Sequence, residues 1–378
     1  MPHAGSPQTS YWLDEPASAV PERRLEGAPD AVVVGGGVTG CAAALRLAEA
    51  GLKVRLHEAR EIAGGASGRN GGFALRGGAA PFDVTVETIG RDSTIWLWRR
   101  TEQALDRLAD LAGDALRRTG SLRLAADDEE RDELAVEFEA LRAAGFDAEW
   151  IDDPLEGRFR AALLHPADAA IQPARWIRRL AVLAAEAGVE IRQHSRVDSI
   201  AGLDAEHVLV ATDGYPSGLL GELEGLIVPT RGQMIATEPL PERLFEQPHY
   251  GRHGFDYWHQ TPDGRLLAGG FRDSALQDEF TTDEVTTPGI QSALESFVAG
   301  LVGRPLRVDY RWAGLFGLVL DFLPVVGRVP GVDRAWVAGG YSGHGNVLGL
   351  LCGELVAEAM LGRPAPELAL FEPSRLLL

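Results

Sequence analysis

The residues with the clearest chemical meaning are three glycines at the spacing Gly-x-Gly-x-x-Gly: Gly35, Gly37 and Gly40. They follow a short β-branched run, residues 31–34, and they open a segment with helical character. In such a turn the first glycine permits a tight bend, the second lets the backbone approach a diphosphate, and the third lets the helix pack on the strand. The helix N-terminus also carries a partial positive charge. The pattern predicts a binding site for a dinucleotide.

An acidic residue lies where the second strand of this unit should end. Residues 53–57 predict that strand, and Glu58 follows them directly. A carboxylate at this position hydrogen-bonds a ribose 2′-hydroxyl and disfavours a 2′-phosphate. A merely structural glycine turn would not need the strand, the helix and Glu58 in this order, so we interpret the unit as nucleotide-binding.

A second glycine-rich segment, residues 61–73, has few side chains to pack but carries Ser67, Arg69 and Asn70. Such a loop suits close backbone contact with a large ligand. Here the chain resembles the D-amino-acid oxidase superfamily of FAD enzymes, whose amine-oxidase branch has a Gly-Ala-Ser-Gly-Arg-Asn-Gly-Gly loop after the second strand. The resemblance implies that this loop lies along the FAD diphosphate and the flavin ring.

Two further segments near the C-terminus carry the same resemblance. Residues 312–327 resemble the family's segment that leads back into the FAD domain, and residues 339–346 resemble its closing Gly-x-Ser-Gly-His-Gly motif. In the family, backbone amides of that motif face the pyrimidine end of the flavin. A helix N-terminus there would stabilise the negative charge of a reduced flavin.

The predicted FAD contacts come from the glycine turn, the second strand, the loop and the C-terminal motif. They are Gly35, Gly37, Val38, Thr39, Gly40, Glu58, Ala59, Arg60, Ala66, Ser67, Arg69, Asn70, Gly71, Val197, Gly314, Gly343, His344, Gly345 and Asn346. Val197 is included because it resembles the family's adenine-contacting valine. We expect His344 to contact the flavin rather than to transfer a proton. We expect noncovalent FAD and no metal site.

Aromatic residues are candidates for the walls of the substrate pocket, where apolar contact and cation–π attraction would hold an amine. The candidates are Tyr257, Trp258, Phe316 and Tyr341. Each is equally well explained as part of the core. No acid or base is assigned, because hydride transfer from a neutral amine to a flavin needs none.

The chain departs from the family at the position that binds the substrate carboxylate. Amino-acid-oxidising members have an arginine where this chain has Phe316, so the resemblance makes a free α-amino acid a less favoured substrate. Arg231 and Arg272 are candidates to replace that arginine. We favour surface salt bridges for both.

Sarcosine oxidases use two lysines and a flavin-linking cysteine, and the matching places here are taken by Leu267, Gly314 and Val347. The sole lysine of the chain is Lys53. A better match is the sequence Ser-Tyr-Trp-Leu at residues 10–13, which resembles γ-glutamylputrescine oxidases and related bacterial amine oxidases.

The predicted reaction is FAD-dependent oxidation of a small amine or N-substituted amino compound by hydride transfer to flavin N5. The products would be an imine and, with oxygen as acceptor, hydrogen peroxide. Two alternatives stay open: an FAD dehydrogenase that uses another acceptor, and a flavin-carrying subunit of a heteromeric oxidase.

Composition argues against several other classes of protein. The chain has 378 residues, a net charge of -19 and two cysteines, Cys41 and Cys352. The charge opposes nucleic-acid binding, which needs a cationic face, and two cysteines do not make a disulfide framework. The chain has no apolar run long enough to span a bilayer. We therefore expect a cytoplasmic protein without nucleic-acid or integral membrane contact.

The predicted fold is α/β, with a Rossmann-like FAD-binding domain interleaved with an α+β substrate domain built on an antiparallel sheet. The expected divisions are a tail at 1–27, the FAD domain at 28–75, 151–220 and 325–378, and the substrate domain at 76–150 and 221–324. Within these, patterning predicts one helix over 84–111 and a strand over 197–200. We expect residues 11–13 of the tail to dock on the body, because their exposure would be costly.

Overall fold

The computed structural model describes residues 9–16, 19–215 and 218–377. Its helices are α1 (Val38–Glu49), α2 (Phe82–Ile89), α3 (Arg91–Ala112), α4 (Asp128–Ala143), α5 (Pro154–Gly157), α6 (Pro173–Glu186), α7 (Leu276–Glu279), α8 (Pro288–Val302) and α9 (Gly345–Met360). None of these helices is long and apolar enough to cross a membrane.

The strands of the described residues are β1 (Ala31–Val34), β2 (Val54–His57), β3 (Phe73–Ala74), β4 (Leu116–Arg117), β5 (Ser121–Ala125), β6 (Glu149–Asp152), β7 (Ala161–His165), β8 (Ala169–Ile171), β9 (Glu190–Arg192), β10 (His207–Val210), β11 (Val228–Pro239), β12 (His249–Gly251), β13 (Asp256–Gln260), β14 (Arg265–Gly270), β15 (Val308–Leu318), β16 (Val325–Arg328) and β17 (Ala335–Gly339).

A six-stranded sheet in the order β16-β17-β10-β1-β2-β9 forms the first layer of the fold. Its pairs are parallel except β16 with β17. All four residues of β1 are buried, as expected for an apolar strand covered on both faces of a parallel sheet. Since β1 and β17 both run parallel to β10, their carboxyl ends lie at the same edge of the sheet. The helices α1 and α9, which follow these strands, therefore begin at that edge.

Small residues let α1 and α9 pack closely against each other. A Cβ added at Gly349 would lie 2.5 Å from Val38 Cγ1, and one at Gly353 would lie 2.6 Å from the Thr39 carbonyl oxygen. The two helix starts are thus held side by side.

The second sheet has eight strands in the order β15-β11-β14-β13-β12-β5-β7-β6, and its pairs are antiparallel except β12 with β5. The helix α8 covers one face, where Ile290 and Leu294 pack in one cluster with Trp258. The predicted α/β fold with a Rossmann-like sheet and an antiparallel sheet is confirmed.

Local details differ from the sequence expectations. Residues 197–200 form no strand. The helix predicted over 84–111 is two helices, because Gly90 between them has a φ of 81°. Strand β7, inside the range expected for the FAD domain, pairs with β5 and β6 of the eight-stranded sheet. We therefore propose that this boundary lies after His165.

The described part of the N-terminal segment is docked, as predicted for residues 11–13. The Trp12 side chain is 2% exposed and its Nε1 donates to the Asn70 carbonyl oxygen at 2.7 Å. The Ser10 hydroxyl donates to the Gly68 carbonyl oxygen at 2.6 Å. The expected tail is therefore partly a support for the glycine-rich loop, while residues 1–8, 17 and 18 of that range lie outside the described residues.

Candidate active site

The glycine turn after β1 and the His-Gly motif before α9 line one cavity of about 580 Å³. Small-molecule and cofactor pockets span roughly 300–1,000 Å³. Of the predicted FAD contacts, all except Gly40 are among its lining residues. A Cβ at Gly40 would collide with the Gly35 carbonyl oxygen, so Gly40 permits the close approach of helix and strand, as its place in the motif predicts.

Hydrogen bonds join the two motifs across the cavity floor. The Thr39 hydroxyl of α1 and the Tyr341 hydroxyl lie 2.7 Å apart. The Asn346 Nδ2 of α9 donates to Asn70 Oδ1 at 3.2 Å and to the Phe73 carbonyl oxygen at 2.7 Å. Asn346 thus ties the start of α9 to the loop that follows β2, and the two glycine-rich regions form one continuous surface.

The groups at the turn fit the polar parts of a dinucleotide. A Cβ at Gly37 would lie 2.8 Å from Ser67 Oγ, and this oxygen accepts a hydrogen bond from the Val38 amide at 3.1 Å. Gly37 and Ser67 both line the cavity beside the helix start, where the lack of a side chain on Gly37 lets a diphosphate approach its backbone closely.

The carboxylate of Glu58 is held by two backbone amides. The Gly36 amide donates to Oε2 and the Arg60 amide to Oε1, each at 2.7 Å. Each oxygen keeps a second acceptor site, so the carboxylate can accept from ribose hydroxyls. The residues present therefore fit FAD, with a diphosphate at the turn and a ribose at Glu58.

Contacts of Arg69 hold the loop that follows β2 in place. Arg69 Nη1 donates to the Ala313 carbonyl oxygen at 3.2 Å, and Trp312 Nε1 donates to the Arg69 carbonyl oxygen at 2.9 Å. A Cβ at Gly314 would lie 2.7 Å from the Arg69 Cβ. These contacts fix the loop that follows β2 against strand β15 of the eight-stranded sheet.

Asp213 is a site residue that sequence reasoning missed. Its Oδ1 accepts from the Gly340 amide at 2.8 Å and its Oδ2 from the Gly317 amide at 3.1 Å. Burial raises the pKa of this carboxyl. Asp213 therefore joins the end of β15 to the start of the His-Gly motif. The only signal for it was its place just after β10, in the sequence Thr-Asp-Gly.

Tyr257 and Phe316 line the cavity from strands β13 and β15 of the eight-stranded sheet. A Cβ at Gly71 would lie 3.2 Å from the Tyr257 ring and one at Gly269 would lie 2.5 Å from its Cζ, so glycines on both sides make room for this ring. A Cβ at Gly232 would lie 3.8 Å from both Tyr257 Oη and Phe316 Cε1. Burial raises the pKa of Tyr257 to about 12, which keeps its phenol neutral.

The other two aromatic candidates lie elsewhere. Trp258 alternates with Tyr257 along β13 and points to the opposite face, where it is fully buried and stacks on His249 with ring centroids 5.0 Å apart. Trp258 is therefore part of the core, the other explanation given for it, and does not line the pocket. Tyr341 does line the cavity, but its hydroxyl is engaged with Thr39 at the junction of the two turns.

The two arginine candidates differ from each other. Arg231 is 4% exposed and pairs with Glu279 at 2.7 Å, so the expectation of a surface salt bridge is wrong for this residue. Arg272 lines the cavity and forms no ion pair with any described residue.

The cavity provides no unengaged carboxylate among the described residues. Its lining carboxylates are Glu58 and Asp213, and backbone amides hold both. Three histidines also line the cavity. His57 Nδ1 lies 2.8 Å from the Ser195 hydroxyl, and His253 Nε2 lies 2.9 Å from a Glu133 carboxylate oxygen. Burial lowers the pKa of His344 to about 4, which makes its imidazole neutral at pH 7 and a weak base. This arrangement suits chemistry that binds and orients a reactant without proton abstraction by a charged group.

Comparison with known proteins gives the family. The family model for FAD dependent oxidoreductases matches residues 30–359, and the chain belongs to this family. Gamma-glutamylputrescine oxidoreductase of Escherichia coli (strain K12) is 31% identical over 364 residues, covering 88% of this chain and 84% of that protein. Glycine oxidase of Bacillus licheniformis is 27% identical over 370 residues, covering 89% and 94%.

A solved structure shows the same fold. Glycine oxidase from Geobacillus kaustophilus matches with a TM-score of 0.75 at 22% identity, covering 93% of this chain and 99% of that one. The protein is an FAD-dependent oxidoreductase, and the predicted family and cofactor are confirmed.

Proposed function

We propose that the protein oxidises an amine with FAD as hydride acceptor. The observation that carries this proposal is one cavity that joins a dinucleotide cradle to a neutral aromatic wall, with no unengaged carboxylate among its described residues. Two relatives are named for gamma-glutamylputrescine and for glycine, which are both amines. Their names support the class of substrate and do not identify it.

Within the cavity we assign the predicted FAD contacts to three parts of the cofactor. Residues 35–39 and Ser67 hold the diphosphate, Glu58 and Val197 hold the adenosine part, and residues 343–346 face the flavin. Tyr341 serves as a positioning residue, because its hydroxyl joins the two turns. Neither cysteine of the chain lines the cavity, which supports noncovalent binding.

The role of the protein in this reaction is to bind the amine in its neutral form, which is the reactive one. FAD, when bound, supplies the oxidation by accepting a hydride. Burial of the amine against Tyr257 and Phe316 disfavours its ammonium form, and the neutral nitrogen then expels a hydride from the adjacent carbon. The pocket excludes water and orients that C–H bond. The imine leaves and is hydrolysed, and with oxygen as acceptor the reaction yields hydrogen peroxide.

The test is an anaerobic titration of the FAD-loaded protein with a panel of amines, followed by admission of air. We expect at least one amine to bleach the flavin absorbance, and air to restore it with formation of peroxide. A matched control is an amine of similar size without a hydrogen on the carbon next to nitrogen, such as tert-butylamine, which should leave the absorbance unchanged.

Each failure of this test has a distinct meaning. Bleaching that air does not reverse would point to an acceptor other than oxygen. A yellow protein that no amine bleaches would contradict the proposed reaction and would favour a flavin-carrying subunit. A cytoplasmic location stays a prediction.

A further inference from the structure

Residues 10–15, the docked segment, contact the glycine-rich loop that follows β2 without lining the cavity. Ser10 and Trp12 of this segment are 0% and 2% exposed. A buried hydroxyl and a buried indole N–H each need an acceptor. Both acceptors are carbonyl oxygens of the loop, at Gly68 for Ser10 and at Asn70 for Trp12. The docked segment is therefore hydrogen-bonded to the loop and does more than cover it.

The backbone of the loop leaves room for the Trp12 ring. A Cβ added at Gly72 would lie 2.7 Å from Trp12 Cζ2, so a residue with a side chain there would displace the ring. Gly72 also has a φ of 77°, a conformation that residues with a side chain rarely adopt. Because Trp12 donates to the Asn70 carbonyl oxygen as well, it contacts the loop on both sides of Gly71. Gly71 lines the cavity, so Trp12 supports the part of the loop that faces the ligand.

A row of aromatic rings continues from Trp12 to the cavity. The Trp12 ring stacks on His259 with centroids 5.7 Å apart, and His259 meets Phe73 edge-on at 5.5 Å. Phe73 in turn meets Tyr257 edge-on at 6.0 Å. Phe73 and Tyr257 line the cavity, whereas Trp12 and His259 do not. Stacked and edge-to-face rings hold one another in preferred orientations, so the position of Trp12 affects the positions of both cavity rings.

The docked segment is itself held at the start of α6. The Glu15 carboxylate accepts from Gln172 Nε2 at 2.6 Å and from Arg175 Nε at 2.7 Å. Arg178 Nη1 donates to the Glu15 carbonyl oxygen at 2.9 Å. The segment is thus anchored to a helix of the body, and Trp12 can act as a fixed support for the loop.

We propose that the docked segment is a positioning element of the active site, and that it acts through Trp12. This inference rests on the proposed amine oxidation, in which the loop contacts FAD and Tyr257 contacts the amine. Trp12 holds the loop at Asn70 and is linked to Tyr257 through the rings of His259 and Phe73.

The two links of Trp12 give it an effect on the reaction although it does not line the cavity. One link sets the place of the loop and the other the place of Tyr257, so together they set how FAD and the amine lie relative to each other. A displacement of about 1 Å at the reacting centre can lower a rate about 100-fold. Loss of the support at Trp12 should therefore slow the reaction of protein that still folds and binds FAD.

The first experiment measures the order of the loop in FAD-free protein by hydrogen–deuterium exchange. Trp12→Phe keeps an apolar ring and removes the indole N–H that binds Asn70. The matched control is Tyr11→Phe, which keeps its ring and removes the hydroxyl that binds Asp263 at the surface. We expect amides at residues 70–73 to exchange about 5–50-fold faster in Trp12→Phe, because the loop loses a hydrogen-bond donor, and at the wild-type rate in Tyr11→Phe. Equal exchange in Trp12→Phe and the wild type would overturn the proposal.

The second experiment compares the FAD-loaded proteins. Visible circular dichroism reports the surroundings of the bound flavin, and anaerobic stopped-flow reduction gives a limiting rate and an apparent dissociation constant for the amine that reduces the wild type fastest. We expect Trp12→Phe to change the dichroism, to lower the limiting rate about 10–100-fold, and to raise the dissociation constant by a smaller factor. Tyr11→Phe should match the wild type in all three. A segment that only stabilises the fold would lower the unfolding temperature of Trp12→Phe and leave its limiting rate and dichroism unchanged, and this result would overturn the proposal.

Ser10→Ala covers the case in which Trp12→Phe does not fold or does not retain FAD. It removes the hydroxyl that donates to the Gly68 carbonyl oxygen and leaves the aromatic row intact. We expect the same changes in exchange and in limiting rate, each about 2–10-fold, and wild-type behaviour in both measurements would overturn the proposal. If no amine reduces the wild type, the proposed reaction fails, and exchange together with dichroism decides whether Trp12 positions the loop.

Discussion

Replacement of Gly37 by alanine tests the cradle at the helix start. The added Cβ would lie 2.8 Å from Ser67 Oγ, which is closer than side-chain carbons normally approach, and it would add a methyl group where Gly37 lines the cavity. Two effects are therefore possible: a clash within the protein, and obstruction of the diphosphate. The double variant Gly37→Ala with Ser67→Ala separates them, because it removes the Ser67 oxygen that the new methyl group meets.

The expected rise in the dissociation constant for FAD follows from the contacts at the turn. Ser67→Ala alone removes one acceptor from the Val38 amide, and a neutral hydrogen bond of this kind contributes about 0.5–1.5 kcal/mol. Obstruction of the diphosphate costs at least one charge-assisted hydrogen bond, about 1.5–3 kcal/mol. We therefore expect the dissociation constant for FAD to rise about 10–150-fold in Gly37→Ala.

The assay is a titration of FAD-free protein with FAD, followed by flavin fluorescence, with circular dichroism as the check on folding. The double variant should bind FAD at least as weakly as Gly37→Ala, because the methyl group still covers the backbone. Recovery of the double variant to the affinity of Ser67→Ala would refute the reasoning, since the effect of Gly37→Ala would then be a clash within the protein.

Three further predictions concern Asp213 and Gly269 of the site and His259, a buried residue of β13 that does not line the cavity. Asp213→Ala leaves the buried amides of Gly317 and Gly340 without their acceptor, so the free energy of unfolding in urea should fall by about 2–5 kcal/mol, and an unchanged value would contradict the role of Asp213. Gly269→Ala places a Cβ 2.5 Å from Tyr257 Cζ, so it should weaken amine binding in anaerobic reduction while FAD affinity stays the same; the reverse result would contradict the placement of Tyr257. Burial lowers the pKa of His259 to about 3, below its ordinary value of 6.5; its contribution to stability is therefore present above pH 6.5 and lost as the pH falls. At pH 4 this loss amounts to about 3 kcal/mol, so unfolding curves of His259→Phe should change less between pH 7 and pH 4 than those of the wild type, and equal changes would exclude this origin.

The sequence predicts the parts of the site that depend on local backbone chemistry. The turn at residues 35–40 needs glycines at fixed positions, and Glu58 follows a strand recognisable from its own residues. These features depend on spacing of a few residues, so they are readable without a structure. That residues 35–40 and 343–346 meet in the fold was predicted from the family resemblance. Neither segment by itself shows that the two lie together.

Residues whose role depends on distant partners were harder to predict. Asp213 acts through amides more than 100 residues away, and an aspartate after a strand usually signals only a turn. From the sequence alone, Arg231 was predicted to be a surface cation, because the sequence does not show its buried partner Glu279. The sequence also cannot show that Arg272 lacks a partner, because that depends on where every nearby acid is already bound.

The differences between prediction and structure at residues 197–200 and at Trp258 have a similar origin. The run at 197–200 begins and ends with the β-branched residues Val197 and Ile200, yet it pairs with no strand in the described residues. Trp258 and Tyr257 are adjacent aromatic residues, and only the pleat of β13 decides which one faces the cavity. The sequence pattern predicts that a strand such as β13 has two different faces, but it does not show which face lines the cavity.

The most direct test of the central claim is hydrogen–deuterium exchange of the protein with and without FAD. The account predicts that amides at residues 35–40 and at residues 343–346 both become protected when FAD binds, while helix α4, none of whose residues lines the cavity, changes little. Protection of the first segment alone, with residues 343–346 exchanging at the same rate in both states, would contradict the claim that the two turns hold one cofactor.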